Sequence, residues 1–154
     1  GSHYGLEALT HVQAQCPSLQ ATLFGVCPPP ADLPTWINYH QLPSQDLLRK
    51  IYNQAAIFLA PSLTEGWGLP PAEAMICGAA VVLTDVDGHR EFAQSDVNAL
   101  MCPPADAAAL AQRVLALMFD TSLRLRLAQA ARESIQSFTW TRACQLMENT
   151  LATD

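Results

Sequence analysis

The hydrophobic positions of this chain fall into short blocks separated by polar, proline-rich or glycine-rich breaks, and their spacing predicts alternating helices and strands. Leu6, Leu9 and Val12 recur at helical spacing, so the chain opens on a helix over 5–15, ended by Pro17 and Ser18. The apolar runs at 21–26, 35–39, 57–60, 80–84 and 99–101 are short, bounded by turn residues, and read as strands. Ser44 is placed to cap a helix reaching Ala55 or Ala56, with Leu47, Leu48, Ile51 and Tyr52 on its inner face. A short helix over 70–77 has proline at its first position and Gly78 beyond its end. Residues 85–88 read as a turn, 89–94 as a short helix, and 105–118, 121–137 and 139–151 as three closing helices. The run at 123–127 alternates like a strand, but Leu123, Leu127, Ala130/Ala131 and Ser134 continue at helical spacing, so helix wins.

Short apolar strands alternating with helices predict an α/β fold, a Rossmann-like parallel sheet with helices on both faces. Ligands of such folds bind beyond the carboxyl ends of the strands, which marks the loop after 57–60 and the turn after 80–84. The 154 residues suit one domain, and with half of them hydrophobic and 14% charged a disordered chain is excluded. A net charge of -6 without any run of Lys or Arg argues against nucleic acid and anionic membrane surfaces as partners. It leaves an anionic small molecule open, because loop amides and helix N-termini hold phosphate without basic side chains. Cys16, Cys27, Cys77, Cys102 and Cys144 are odd in number, scattered and without metal-ligand spacing, and read as reduced, mostly core residues of a cytosolic protein. No apolar run reaches the about 18–20 residues needed to cross a bilayer. Gly1-Ser2-His3 read as the remnant of a cleaved expression tag, leaving 4–154 as the domain, with native sequence expected upstream.

The densest chemistry lies in Glu65-Gly66-Trp67-Gly68-Leu69-Pro70-Pro71-Ala72-Glu73, where seven residues separate two glutamates. Gly66 and Gly68 let the loop approach a ligand, and the amides from Gly66 to Leu69 are candidate donors. Pro70 and Pro71 lack N–H groups, so anion binding rests on the loop more than on the helix end. A carboxylate accepts well from vicinal hydroxyls, and two so spaced suit two sugars at once. This string resembles the E-x7-E motif of retaining, family-4-type glycosyltransferases of GT-B fold. The surroundings agree: Ala60-Pro61-Ser62, Glu73-Ala74-Met75, the run at 78–82, Asp85 to Glu91, Asn98 to Pro104 and Phe138-Thr139-Trp140.

The resemblance implies the C-terminal half of a GT-B enzyme with its first strand missing. It implies Glu65 on the hydroxyls of the donor sugar, as the catalytic residue, and Glu73 on the ribose. The amides of Gly66, Trp67, Gly68 and Leu69 would hold sugar and diphosphate, and Tyr39 to Leu42 would lie near the base. His89 and Arg90, beyond a strand, would reach diphosphate or sugar; a helix-opening surface role is the alternative. The implied reaction passes a hexosyl group from a nucleotide sugar to a glycan or lipid-linked acceptor, with no metal and no cofactor. These enzymes carry an Arg and a Lys ahead of the helix that opens here, and an N-terminal acceptor-binding domain. Both are absent, so the chain alone is expected to bind donor weakly and transfer nothing. Its setting would be the cytoplasm, peripheral to the inner membrane through the missing domain. The rival class is a non-catalytic sugar-nucleotide-binding or interaction module; an epimerase is disfavoured by the glutamate loop.

Plainer readings stand beside these. Ser62-Leu-Thr-Glu65 fits a capping box, and Glu73, in the first turn of its helix, is suited to the helix dipole. Trp67, between two glycines, reads as lying at the mouth of the site. Trp36, Trp140 and the leucines of 110–127 read as core, Glu91 as structural, and Asp85 and Asp87 as turn residues rather than metal ligands.

Overall fold

A computed structural model describes residues 1–152. Its elements are α1 (Ser2–Gln15), β1 (Ala21–Gly25), β2 (Ile37–Gln41), α2 (Gln45–Gln54), β3 (Ile57–Ala60), α3 (Leu69–Ile76), β4 (Ala80–Thr84), α4 (Asp87–Arg90), β5 (Leu100–Cys102), α5 (Ala107–Phe119), α6 (Thr121–Ile135) and α7 (Trp140–Leu151). Every strand pair is parallel, in two sheets of order β1-β2 and β3-β4-β5.

β4 is central to the larger sheet and all five of its residues are buried, the reason its sequence is apolar without alternation. Successive residues serve opposite faces. Val81 and Leu83 join Phe58, Ala60, Met75 and Ile135 in one core, under α2 and α3. Ala80 and Val82 join Ile57, Leu59, Val12, Leu110 and Leu117 in the other, under α1 and α5. α6 contributes to both, through Ala131 and Ile135 on one side and Leu127 and Ala128 on the other. The expected sandwich of helices around a parallel sheet is therefore present. Between β1 and β3 the sheet is interrupted: the rings of Phe24 and Phe58 lie 6.4 Å apart, yet the two strands share no ladder.

Four side-chain caps start helices where sequence chemistry places them: Ser44, Asp106, Asp120 and Thr139 each accept from a first-turn amide. The Asp106 carboxylate takes the Ala109 amide at 2.8 Å, and α5 it caps fills one face of the sheet. Asp106→Ala is expected to lower stability by about 1 kcal/mol, read as a reduced urea midpoint at unchanged slope.

Several boundaries differ from expectation. α1 starts at Ser2, with Gly1 at its N-cap against the Pro61 carbonyl. β2 begins two residues late because the Pro34 carbonyl takes the Ile37 amide at 3.0 Å, turning Thr35 and Trp36 out of the ladder. β5 is displaced by one residue, and α4 starts at Asp87 rather than 89. Cys102 is the one fully buried cysteine; Cys27 and Cys144 are exposed and Cys16 and Cys77 half-buried, so the thiols are free but mostly not core. Trp36 is half-buried. Trp140 is 87% exposed, and α7 has no buried residue.

Candidate functional site

The site is built on the carboxyl ends of β3 and β4. β4 closes on Thr84, a polar residue with no solvent exposure. Its hydroxyl donates to the Ser62 carbonyl at 2.5 Å, tying the loop after β3 to the end of β4. The Ser62 hydroxyl in turn donates to Glu65 Oε1 at 2.7 Å. Glu65 is half-buried and its Oε2 accepts nothing from the described residues. The capping-box reading fails here: the bond runs side chain to side chain in an irregular loop, and α3 starts only at Leu69.

The loop is held from beneath by α4. A Cβ on Gly88 would lie 2.5 Å from the Glu65 carbonyl oxygen and 2.9 Å from the Trp67 amide nitrogen, so only glycine admits this approach. His89 follows, completely buried, with Nδ1 donating to the Thr84 carbonyl at 2.8 Å. Its other ring nitrogen, Nε2, is buried without a hydrogen-bond partner among the described residues. The ring lies against Gly68, whose Cβ would be 2.9 Å from His89 Cδ2 and whose φ of 104° is left-handed. The surface role is thus wrong for His89, which supports the loop from below. Gly66 is different: a Cβ there meets nothing within 4 Å.

Arg90 is exposed, and its guanidinium is held by Asp85 at 2.6 Å and Asp87 at 3.0 Å. The hydrogen bond from Arg90, followed by its charge, holds the Asp85 carboxyl below the usual carboxylate range. Asp85 lies in the turn after β4 as expected, while Asp87 opens α4 instead of a turn, and both carboxylates are engaged by Arg90. Trp67 does not stand at the mouth: its ring packs on Phe92 at 4.9 Å and Phe138 at 5.4 Å between centroids. The residue between the glycines anchors the loop to the core by its side chain.

Glu73 is exposed on α3, beyond its first turn, so the dipole reading loses its basis. Tyr52 on α2 faces it. That ring is wedged among Phe24 and Phe58, its hydroxyl has no partner at hydrogen-bonding distance, and burial, followed by the Glu73 carboxylate, pushes the phenol up. Tyr39 lies midway along β2, in the other sheet, and Leu42 directly follows that strand. The Tyr39 hydroxyl is engaged by the Cys27 carbonyl at 2.5 Å, while Leu42 is exposed at a left-handed φ of 47°. No hydrogen bond links either to the glutamate loop. Ser62, Thr84 and Gly88 escaped the sequence reading as site residues. The available signals were a polar residue ending an all-apolar strand and a serine three positions before the glutamate.

The family model for glycosyl transferases group 1 matches residues 1–120. The D-inositol 3-phosphate glycosyltransferase of Xylanimonas cellulosilytica is 38% identical over 96 residues, 62% of this chain and 23% of that protein. The C-terminal domain of a glycosyl transferase group 1 family protein (LpcC) from Francisella tularensis superposes with a TM-score of 0.79, at 23% identity, over 90% of this chain and 78% of that one. Anabaena Alr3699/HepE in complex with UDP-glucose gives a TM-score of 0.80 at 20% identity, over 100% of this chain and 46% of that one. The matched segment thus spans 23% of the length of the curated relative. With the family model covering most of the chain and the fold being that of a C-terminal GT-B domain, the chain belongs to the group 1 glycosyl transferases.

Proposed function

We propose that this chain is the donor-binding domain of a retaining glycosyltransferase, which holds a nucleotide-activated sugar while another domain presents the acceptor. The observation that carries this reading is the Glu65 carboxylate, fixed by Ser62 in a glycine loop beyond β3, with a second carboxylate, Glu73, on the helix that follows. Glu65 accepts from hydroxyls of the transferred hexosyl group, Glu73 accepts from the ribose, and the amides of Gly66 to Leu69 face sugar and diphosphate. The stretch from Tyr39 to Leu42 is assigned to the base, and Leu42 is exposed there for such a contact. His89 acts from beneath the loop rather than on the ligand. The acceptor, a glycan or a lipid-linked sugar, attacks on the face the nucleotide is leaving, so no protein nucleophile is needed.

The departing diphosphate requires positive charge. Arg90 is already held by two aspartates. The charge is assigned to an Arg and a Lys of a preceding segment, and the interruption between β1 and β3 offers unpaired edges to one more parallel strand. Trp140, Leu146, Met147 and Leu151 are exposed on α7, an apolar surface suited to contact with the acceptor-binding domain. Among the described residues no helix is long and apolar enough to cross a membrane. The working place of the enzyme is the cytoplasm, at the inner face of the membrane where a lipid-linked acceptor is offered, in the building of surface polysaccharide.

Saturation-transfer NMR on this chain against UDP-, GDP- and dTDP-sugars tests the reading. One nucleotide class is expected to bind, and Glu73→Ala to weaken that binding about tenfold or more, the loss of charge-assisted bonds to the ribose hydroxyls. Failure of every donor to bind at millimolar concentration, or binding indifferent to Glu73→Ala, overturns it.

A further inference from the structure

We infer that Ser62 is a positioning residue for Glu65, turning one carboxylate oxygen toward the protein and keeping the other for a hydroxyl of the donor sugar. The inference rests on the donor-site reading above and adds to it how the carboxylate is oriented.

A glutamate on an open loop has three rotatable bonds, and ordering it opposes binding by rotamer entropy. Here the ordering precedes the ligand. The Ser62 hydroxyl has one proton, and it is given to Glu65 Oε1. Ser62 is itself fixed through its carbonyl, which accepts from the Thr84 hydroxyl at 2.5 Å. Thr84 belongs to the most buried strand, and its own carbonyl takes His89 Nδ1 at 2.8 Å. The close approach of Gly88 to the Glu65 carbonyl pins the backbone of the same residue. Backbone and carboxylate of Glu65 are therefore each held from the β4–α4 side, and Oε2 remains without a partner among the described residues.

A carboxylate oxygen held in one place accepts from a hydroxyl of one configuration better than from its epimer. The consequence is a preference among sugars that depends on Ser62, whereas affinity for the nucleotide diphosphate alone does not. A merely structural serine would lower both together with the melting temperature.

Two measurements decide this on the chain itself. The first needs no ligand: 13C relaxation of the Glu65 γ-methylene reports its order. High order in the parent, rotamer averaging in Ser62→Ala, and order restored in Ser62→Thr are expected; equal order in parent and Ser62→Ala overturns the inference. The second compares affinity for UDP-glucose with affinity for UDP. Ser62→Ala is expected to reduce that ratio roughly three- to tenfold, the range of a charge-assisted hydrogen bond at a half-exposed site, with UDP affinity unchanged. Glu65→Gln separates the two levels. If it leaves the ratio intact, Glu65 does not face the sugar and the donor-site reading itself falls. If it collapses the ratio while Ser62→Ala does not, only the positioning role of Ser62 is overturned.

Discussion

Glu65→Ala is expected to reduce hexosyl transfer by the full-length enzyme about a hundredfold or more, with the fold intact, as follows from losing charged hydrogen bonds at the reacting sugar. The side chain is half-buried, bonded only to Ser62, and outside both hydrophobic cores, so its removal opens no cavity. What would disappear, on the proposed reading, is an anionic acceptor beside the sugar, where positive charge develops as the bond to the diphosphate lengthens. The loss is expected mainly in kcat, since in the proposed donor site Glu73 and the loop amides would still hold the nucleotide. Glu73→Ala should show the reverse balance, a raised KM for the donor with a smaller change in turnover. Steady-state kinetics with a melting curve for each variant checks this. Near-normal turnover in Glu65→Ala would remove that residue from the chemistry, whatever the fold.

Why such a carboxylate was legible in sequence, and its support was not, follows from the physics of each. The elements were read from spacing that burial enforces: β4 must be apolar throughout because both its faces are covered, and Leu110, Val114 and Leu117 must recur at helical spacing because α5 lies on the sheet. Caps are equally local, which is why Ser44 was found. The start of β2 is not local. Thr35 and Trp36 have strand propensity, but the pairing of Ala21 with Ile37 decides the register, and Pro34 makes a turn of what precedes it. Trp140 misled for the opposite reason: a tryptophan invites a core assignment, but burial depends on what packs against it, and Trp140 is left 87% exposed. In the site, Glu65 stands out because a charged residue beside a glycine is conspicuous, and Glu73 because it repeats that charge eight positions on, in an otherwise apolar helix. The pairing of Thr84 with Ser62 spans 22 positions of sequence and depends on β3 lying beside β4, which no local pattern encodes.

Gly88 makes the same point in a form that stability and binding measurements can both test. It occupies the second position of α4, and read locally it is a helix-weakening residue that alanine would improve by about 1 kcal/mol. The structure reverses the sign. An alanine Cβ would lie 2.5 Å from the Glu65 carbonyl oxygen, 2.8 Å from its carbon and 2.9 Å from the Trp67 amide nitrogen. All three are backbone atoms, so no rotamer change relieves the overlap, and either α4 or the loop has to move. Gly88→Ala is therefore expected to destabilise the chain by about 1–3 kcal/mol, the usual range for overpacking. It should also abolish detectable donor binding, because displacing the Glu65 backbone moves the carboxylate and the neighbouring amides together. Gly66→Ala is the control for stability: a Cβ at that exposed position meets nothing, and the urea midpoint should stay close to that of the parent. Urea unfolding and NMR binding of UDP-glucose, run on both variants, give the answer. If Gly88→Ala is as stable as the parent and binds equally, α4 does not shape the loop. The glutamate would then owe its placement to β3 and Ser62 alone.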